Sequence, residues 1–581
     1  MALSPLAAAL VLRLRLMAPS VVPDPALHTS FVVDPRDVFT RYAAAFAETA
    51  RMREGARVGF LVPARLAYLA FGDVTGFFVT RYVFALIAVV PVYLLLRRLY
   101  GPPAGVAGIL VVLSSPVIVT AWGTDYPDSA VVSYGLGALA CLVMPSAQRW
   151  RRGWLAAAGV LLGLAVWSHG IAVPLVAATL VGYVGVRLMR DRDRLPGDLA
   201  VLAGAAVAVT GLLVVASALV LGHANFIGLT WQAFRFLSRP SQTAMWHSAN
   251  WRWAPYVAYL LVPPAVLGAF AVAVARRGHT IAAPGPLIGV MVAAQLAVYV
   301  LLQFAGTIQA LEQPLFSSTL WAGACLAFAV TVAELTRPLS HRPLARWLPA
   351  AVLLAVPLCY EFGPHPPSFG WLPFGAIVAA AVIAAAAAAR AGAGLRNRAV
   401  SAAATGLALA ACAGAVLVLT VAPIPDHPRL PNTALYRPPA YSSALGGNAT
   451  VSIDSYRIAT ALPGFVGQAT YRGEQLLLWR LTPAPAPDLM YAVGMYHDGF
   501  NQLRHHAPVL TARDRRKLTS RRPAELLFLG SSAAPFPAAL RELAAFQPTV
   551  THAGQLRAGP LVLHAWLIRL GVYYRPPTPS G

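Results

Sequence analysis

The sequence predicts an all-α polytopic membrane domain followed by a small α/β domain, and three observations predict it. The 581 residues are 58% hydrophobic and 12% charged, with a mean hydropathy of +0.62, as in an integral membrane protein. Arginines recur at every second loop between apolar spans. Past Val421 the composition turns polar enough to fold in water.

The charge distribution narrows the class further. A formal net charge of +23 could suit a nucleic-acid binder. Many of the arginines sit in short loops, however, which is the positive-inside pattern, so no nucleic acid is expected as partner. The basic residues are almost all arginine, Lys517 standing apart as a lysine. Cys141, Cys325, Cys359 and Cys412 all fall in apolar spans, with neither metal-ligand spacing nor a disulfide framework. Arg13 and Arg15 interrupt the first apolar stretch, which therefore reads as a poor first span, or as a misplaced chain start, rather than a cleavable signal peptide.

Next comes Asp34-Pro35-Arg36-Asp37-Val38-Phe39-Thr40-Arg41-Tyr42. Pro35 breaks helix at the first Asp, while Val38, Phe39 and Tyr42 can begin an amphipathic helix on the bilayer. Two carboxylates three residues apart call for an explanation in so apolar a chain. One is a solvated helix start with Asp as N-cap. The other is an active site, because a second acidic loop, Thr124-Asp125-Tyr126-Pro127-Asp128, emerges on the same side. Residues 51–68 form a basic amphipathic stretch, expected as a helix resting at the interface.

Spans follow at roughly 77–96, 104–122, 129–144, 155–168, 170–186, 199–221, 255–275, 284–304, 316–334, 347–361, 372–390 and 399–421. With the weak first helix the total is about thirteen. The arginine-bearing loops are expected in the cytoplasm. The alternate loops, with Asp34, Asp37, Asp125, Asp128, Glu312 and Glu361, then lie outside. The membrane domain covers 1–422, with outer loops 24–76, 123–128 and 223–253. In the long last loop Trp231, Phe234, Trp246 and Trp251 interleave with Arg235, Arg239 and Arg252, and His247 follows Trp246. This is either an interfacial aromatic belt or a groove in which aromatics stack on substrate and Arg meets phosphate.

Residues 423–581 read as an extracytoplasmic α/β domain. VSIDSYRIAT and EQLLLWRLT have strand character, AELLFLGSS then PAALRELAAF reads as strand then helix, and PLVLHAWLIRL as another strand. Gly530-Ser531-Ser532 is an ordinary strand–helix turn or an anion site.

An outer carboxylate can take the proton of a sugar hydroxyl as it attacks an activated anomeric carbon. A second acid can orient the acceptor or hold Mg²⁺ or Mn²⁺. Arginine can grip the leaving phosphate bidentately. The order of an acidic first loop, a basic segment, a span ending in Arg97-Arg98-Leu99-Tyr100-Gly101, a Thr-Asp loop and Ala158-Gly159-Val160-Leu161-Leu162-Gly163-Leu164-Ala165-Val166-Trp167-Ser168-His169-Gly170 resembles the GT-C glycosyltransferases. The lipid A aminoarabinose transferase and protein O-mannosyltransferase branch is the most similar.

The resemblance covers roughly 30–190. It implies a plasma-membrane enzyme that moves a sugar from a polyprenyl-phosphate donor to an extracytoplasmic glycan, lipid or protein acceptor. It implies Asp37 as the loop acid, with Asp34 the other candidate, Tyr42 beside it, and Asp125 or Asp128 facing it. The basic segment directly after the first acidic loop puts Arg57 or Arg65 near the donor phosphate, together with His169, and Glu312, Trp246 and His247 are expected around substrate. His169 stands where the family has lysine, and a later Glu-Arg-Tyr-like motif is reduced to Glu312-Gln313-Pro314. Two other classes stay open. A flippase for lipid-linked sugars would show inverted repeats and midplane acids, and a non-catalytic membrane scaffold would survive loss of Asp37.

Overall fold

The computed structural model describes residues 28, 31–32, 35–36, 55–114, 118, 121–122, 127–144, 148–237, 284–304, 314–336, 461, 464–466, 476–481, 502–505, 507–521, 523, 525–558 and 561–571. Its helices are α1 (Val58–Phe71), α2 (Asp73–Tyr100), α3 (Pro102–Ser114), α4 (Pro127–Val143), α5 (Gln148–Val166), α6 (Ala172–Arg190), α7 (Leu195–Val220), α8 (Phe226–Leu237), α9 (Pro284–Phe304) and α10 (Pro314–Thr336).

Three of them are long and apolar enough to cross a membrane: Thr75–Tyr100, Ala172–Met189 and Arg192–Val220. Shorter apolar helices occupy Val58–Phe71, Pro127–Val143, Leu287–Tyr299 and Ser318–Ala327. The expected spans at 255–275, 347–361, 372–390 and 399–421 lie outside the described residues. Lipid is the solvent for α7, whose outward Val207, Leu212 and Leu219 are exposed although every one is apolar. Such a face suits hydrocarbon and not water.

Two ends of the bundle are fixed by contacts. At one, Arg151 on α5 pairs with Asp198 on α7, and Tyr183 of α6 donates to the same carboxylate oxygen (3.1 Å). At the other, the Gly59 N–H of α1 donates to the Trp167 carbonyl (2.9 Å) just past α5. The Tyr134 hydroxyl of α4 donates to the Gly59 carbonyl (3.0 Å). The arginine-rich end and the Trp167 end are therefore opposite. α5 packs on α7 rather than on its neighbour α6, which packs on α9 instead. The closeness of α5 to α7 needs Gly159, where a Cβ would stand 2.4 Å from the Leu202 carbonyl oxygen.

Several boundaries differ from expectation. α5 begins at Gln148 rather than 155, because the pairing of Arg151 with Asp198 draws the basic stretch into the helix. α3 is described as far as Ser114, and Ile118, Ala121 and Trp122 in the rest of the expected 104–122 are helical as well. The helix expected over 51–68 begins at Val58 and runs to Phe71. Its first turns do not rest on a surface: Val58, Phe60, Leu61 and Val62 are core, and the large residues that face outward, Leu66, Leu69 and Phe71, come in its second half.

The C-terminal residues build one five-stranded sheet in the order β2-β1-β3-β5-β4. The strands are β1 (Leu476–Leu481), β2 (Gln502–His505), β3 (Glu525–Gly530), β4 (Pro548–Ala558) and β5 (Leu561–Leu570), with helices α11 (Ala512–Arg521) and α12 (Phe536–Glu542). β1 runs parallel to β2 and β3, whereas β5 pairs antiparallel with β3 and β4. The strands expected at EQLLLWRLT, AELLFLGSS and PLVLHAWLIRL form, as does the helix within PAALRELAAF. The strand expected at VSIDSYRIAT lies outside the described residues. Leu477, Trp479, Leu526, Phe528, Phe546 and Ile568 give the sheet its own core.

Candidate active site

The Trp167 end is where the sequence places its chemistry. α5 stops at Val166, and Trp167 to Gly170 form a tight break before α6. Ser168 turns its hydroxyl back onto the Leu164 carbonyl (2.7 Å), and the Ile171 N–H donates to His169 Nδ1 (3.2 Å). That bond makes Nδ1 the acceptor, which leaves the proton of neutral His169 on Nε2. Trp167 is held from two sides. Its indole donates to Thr210 on α7 (2.8 Å), and its ring meets Phe226 of α8 edge-on (4.8 Å between centroids).

α1 seats against this break. A Cβ at Gly59 would lie 2.3 Å from the Leu164 oxygen and 2.5 Å from Ser168 Oγ, so only glycine permits the approach. An aromatic series runs away from it: Phe60 stacks on Phe84 (5.9 Å), which meets Tyr134 edge-on (5.6 Å).

Two expected phosphate ligands lie along α1. The Arg57 guanidinium is 2.9 Å from His28 Nε2, and Arg65 donates to the Val32 carbonyl (2.9 Å) while lying over the Tyr68 ring (5.3 Å). Both arginines thus bind the N-terminal stretch that carries the first acidic loop. His28 is buried, with Phe60 edge-on at 6.1 Å. The stretch also leans on the α7–α8 junction, since a Cβ at Gly222 would lie 3.0 Å from Arg36 Cγ. Burial pushes the pKa of His223 beside it below the usual imidazole value, against an opposing influence of the Gly55 backbone.

Asp128 occupies the first turn of α4 and is fully buried. Expected among the outer-loop acids, it lies instead within the helix, because α4 begins at Pro127 and carries the carboxylate inward. One turn on, Ser133 accepts from the Trp122 indole (2.8 Å). Among the other expected site residues Asp34, Asp37, Tyr42, Asp125, Trp246, His247 and Glu312 lie outside the described residues. Among the described residues no three His, Cys, Asp or Glu side chains stand together as a metal site. His28 escapes sequence reading, since a single histidine between Leu27 and Thr29 has no spacing that marks it.

Residues 59–233 match the family model described as dolichyl-phosphate-mannose-protein mannosyltransferase. The match bears out the resemblance to GT-C glycosyltransferases that use polyprenyl-phosphate sugars, and with it the expected enzyme class. No curated protein matches the chain. Among solved structures, ArnT from Cupriavidus metallidurans bound to undecaprenyl phosphate is 16% identical, with 97% of each chain covered and a TM-score of 0.44. Its apo form is 15% identical over 96% of each chain, with a TM-score of 0.43. Archaeal oligosaccharyltransferase AglB from Archaeoglobus fulgidus, in complex with an inhibitory peptide and a dolichol-phosphate, is 11% identical. That likeness covers 81% of this chain and 61% of AglB, at a TM-score of 0.37. These likenesses are of general outline and support no residue-level correspondence.

Proposed function

We propose that the chain is a plasma-membrane glycosyltransferase that moves a sugar from a polyprenyl-phosphate donor to an extracytoplasmic glycan, lipid or protein. The observation that carries this reading is the family match over 59–233, the segment in which Gly59, Tyr134, Trp167 and the His169 break are joined. In the proposed reaction an acceptor hydroxyl oxygen bonds to the anomeric carbon. The bond from that carbon to the phosphate oxygen breaks, the hydroxyl proton passes to Asp37, and polyprenyl phosphate leaves. Arg57, Arg65 and His169 hold that phosphate, arginine through its paired N–H donors. Asp34, Asp125 or Asp128 orients the acceptor or holds a divalent ion such as Mg²⁺ or Mn²⁺, and chelation by EDTA distinguishes the two. The extracytoplasmic placement of 423–581 belongs to the same proposal and rests on the alternation of arginine loops.

Asp37→Asn keeps size and polarity but cannot take a proton. In sealed vesicles with acceptor on the outer face, the variant should insert and melt like the parent. Its transfer should fall by about 10²–10⁴. Transfer at the parental rate in Asp37→Asn, and equally in Asn variants of Asp34, Asp125 and Asp128, would remove these carboxylates from the reaction, and no transfer by the parent itself would replace the enzyme with a scaffold.

A further inference from the structure

The contact between Arg57 and His28 fixes more than a distance. A guanidinium carries only N–H donors and stays protonated in proteins, so at 2.9 Å the acceptor is His28 Nε2. The imidazole in this contact is therefore neutral, with its proton on Nδ1. It is also rigidly seated, being 1% exposed and pinned edge-on by Phe60, itself stacked on Phe84. A carboxylate in the same place would aim the arginine and cancel its charge. A neutral imidazole aims it and leaves the charge whole.

We infer that His28 is a positioning residue that orients Arg57 toward the donor phosphate while contributing no negative charge to compete with it. The inference rests on the reading of Arg57 as a phosphate ligand. It places the buried N-terminal stretch within the binding apparatus, which otherwise consists of loop acids and α1. The charged and titratable groups described around this corner are Arg57, Arg65 on the Val32 carbonyl, Arg36 against Gly222, His223 by the Gly55 backbone, and His169 beyond Gly59. Protonation of His28 would remove the acceptor and set a second cation against Arg57. Acid should therefore misalign the arginine.

The test measures binding of undecaprenyl phosphate to the full chain in detergent. His28→Leu removes the acceptor, and affinity should fall about tenfold or more, as for loss of a hydrogen bond to a charged group. His28→Gln can accept the same bond through Oε1 and should recover most of that loss. As the pH is lowered from about 8 through the imidazole range and below it, parental affinity should fall more than that of His28→Gln. The probe's own ionisation is common to both proteins and drops out of the comparison. That pH difference stands even if His28→Leu does not fold. If Arg57→Ala weakens binding while His28→Leu and the pH profile of His28→Gln match the parent, the positioning role is wrong and the phosphate reading survives. If Arg57→Ala binds like the parent, both fall.

Discussion

Gly59 joins more of the candidate site than any other single residue. Its N–H and carbonyl bind Trp167 and Tyr134, and its missing Cβ lets α1 lie against the end of α5. A methyl group there would meet backbone, which cannot rotate away. Gly59→Ala should therefore cost about 1–3 kcal/mol, the usual cost of overpacking. The measurement is a lower melting temperature in detergent, with transfer falling alongside because the His169 break loses its support. Gly153, with open space around its Cβ position, is the control whose Ala variant should melt like the parent. His169 shows a related tension. Lysine would supply the fixed charge found in the resembling family, but could not accept the Ile171 N–H as Nδ1 does.

At the scale of the element, the junction between α7 and α8 carries a pH dependence of definite sign. His223 titrates in the fold below its ordinary 6.5, first because it is buried, with the influence of the Gly55 backbone opposing. Between the two values the unfolded chain binds the proton and the folded chain does not. Stability is then complete above about 6.5 and declines as pH falls toward the folded value. Melting temperatures of the parent should drop through that window more steeply than those of His223→Asn. Equal slopes would remove His223 as the cause. The partial exposure of this histidine keeps the effect small.

Across the whole molecule, the sequence and the structure agree where one signal dominates. Spans with long apolar runs, such as Thr75–Tyr100 and Arg192–Val220, and strands such as Glu525–Gly530 are plain from composition alone. Polar β4 and four-residue β2 carry no run to read, and they form because β5 and β1 offer them an edge. The site was legible as a region. The Ser168-His169-Gly170 break falls where it was expected, and Arg57 and Arg65 lie on or beside one helix. What no spacing could disclose is that His28 reaches Arg57 across 29 positions, because that pairing depends on how α1 is seated. The inward turn of Asp128 likewise depends on α4 starting at Pro127.

The pairing of α6 with α9 has a consequence in time. α6 is complete at Arg190, but its partner does not begin until Pro284. At roughly 5–20 residues per second, the ribosome adds those intervening residues over some seconds, during which α6 stands in the bilayer without α9. Thr179 is equipped for the delay: its hydroxyl donates to the Leu175 carbonyl of its own helix (2.8 Å), so it needs no outside partner while it waits. Gln295 then arrives on α9 and donates to the Thr179 hydroxyl oxygen (2.8 Å), closing the two helices with a bond that the earlier one leaves room for. A nascent chain stalled before residue 284 should crosslink from position 179 to lipid or insertion machinery. One extended well past 304 should crosslink from there to α9, and a stalled chain already shielded at 179 would mean that something else guards the helix first.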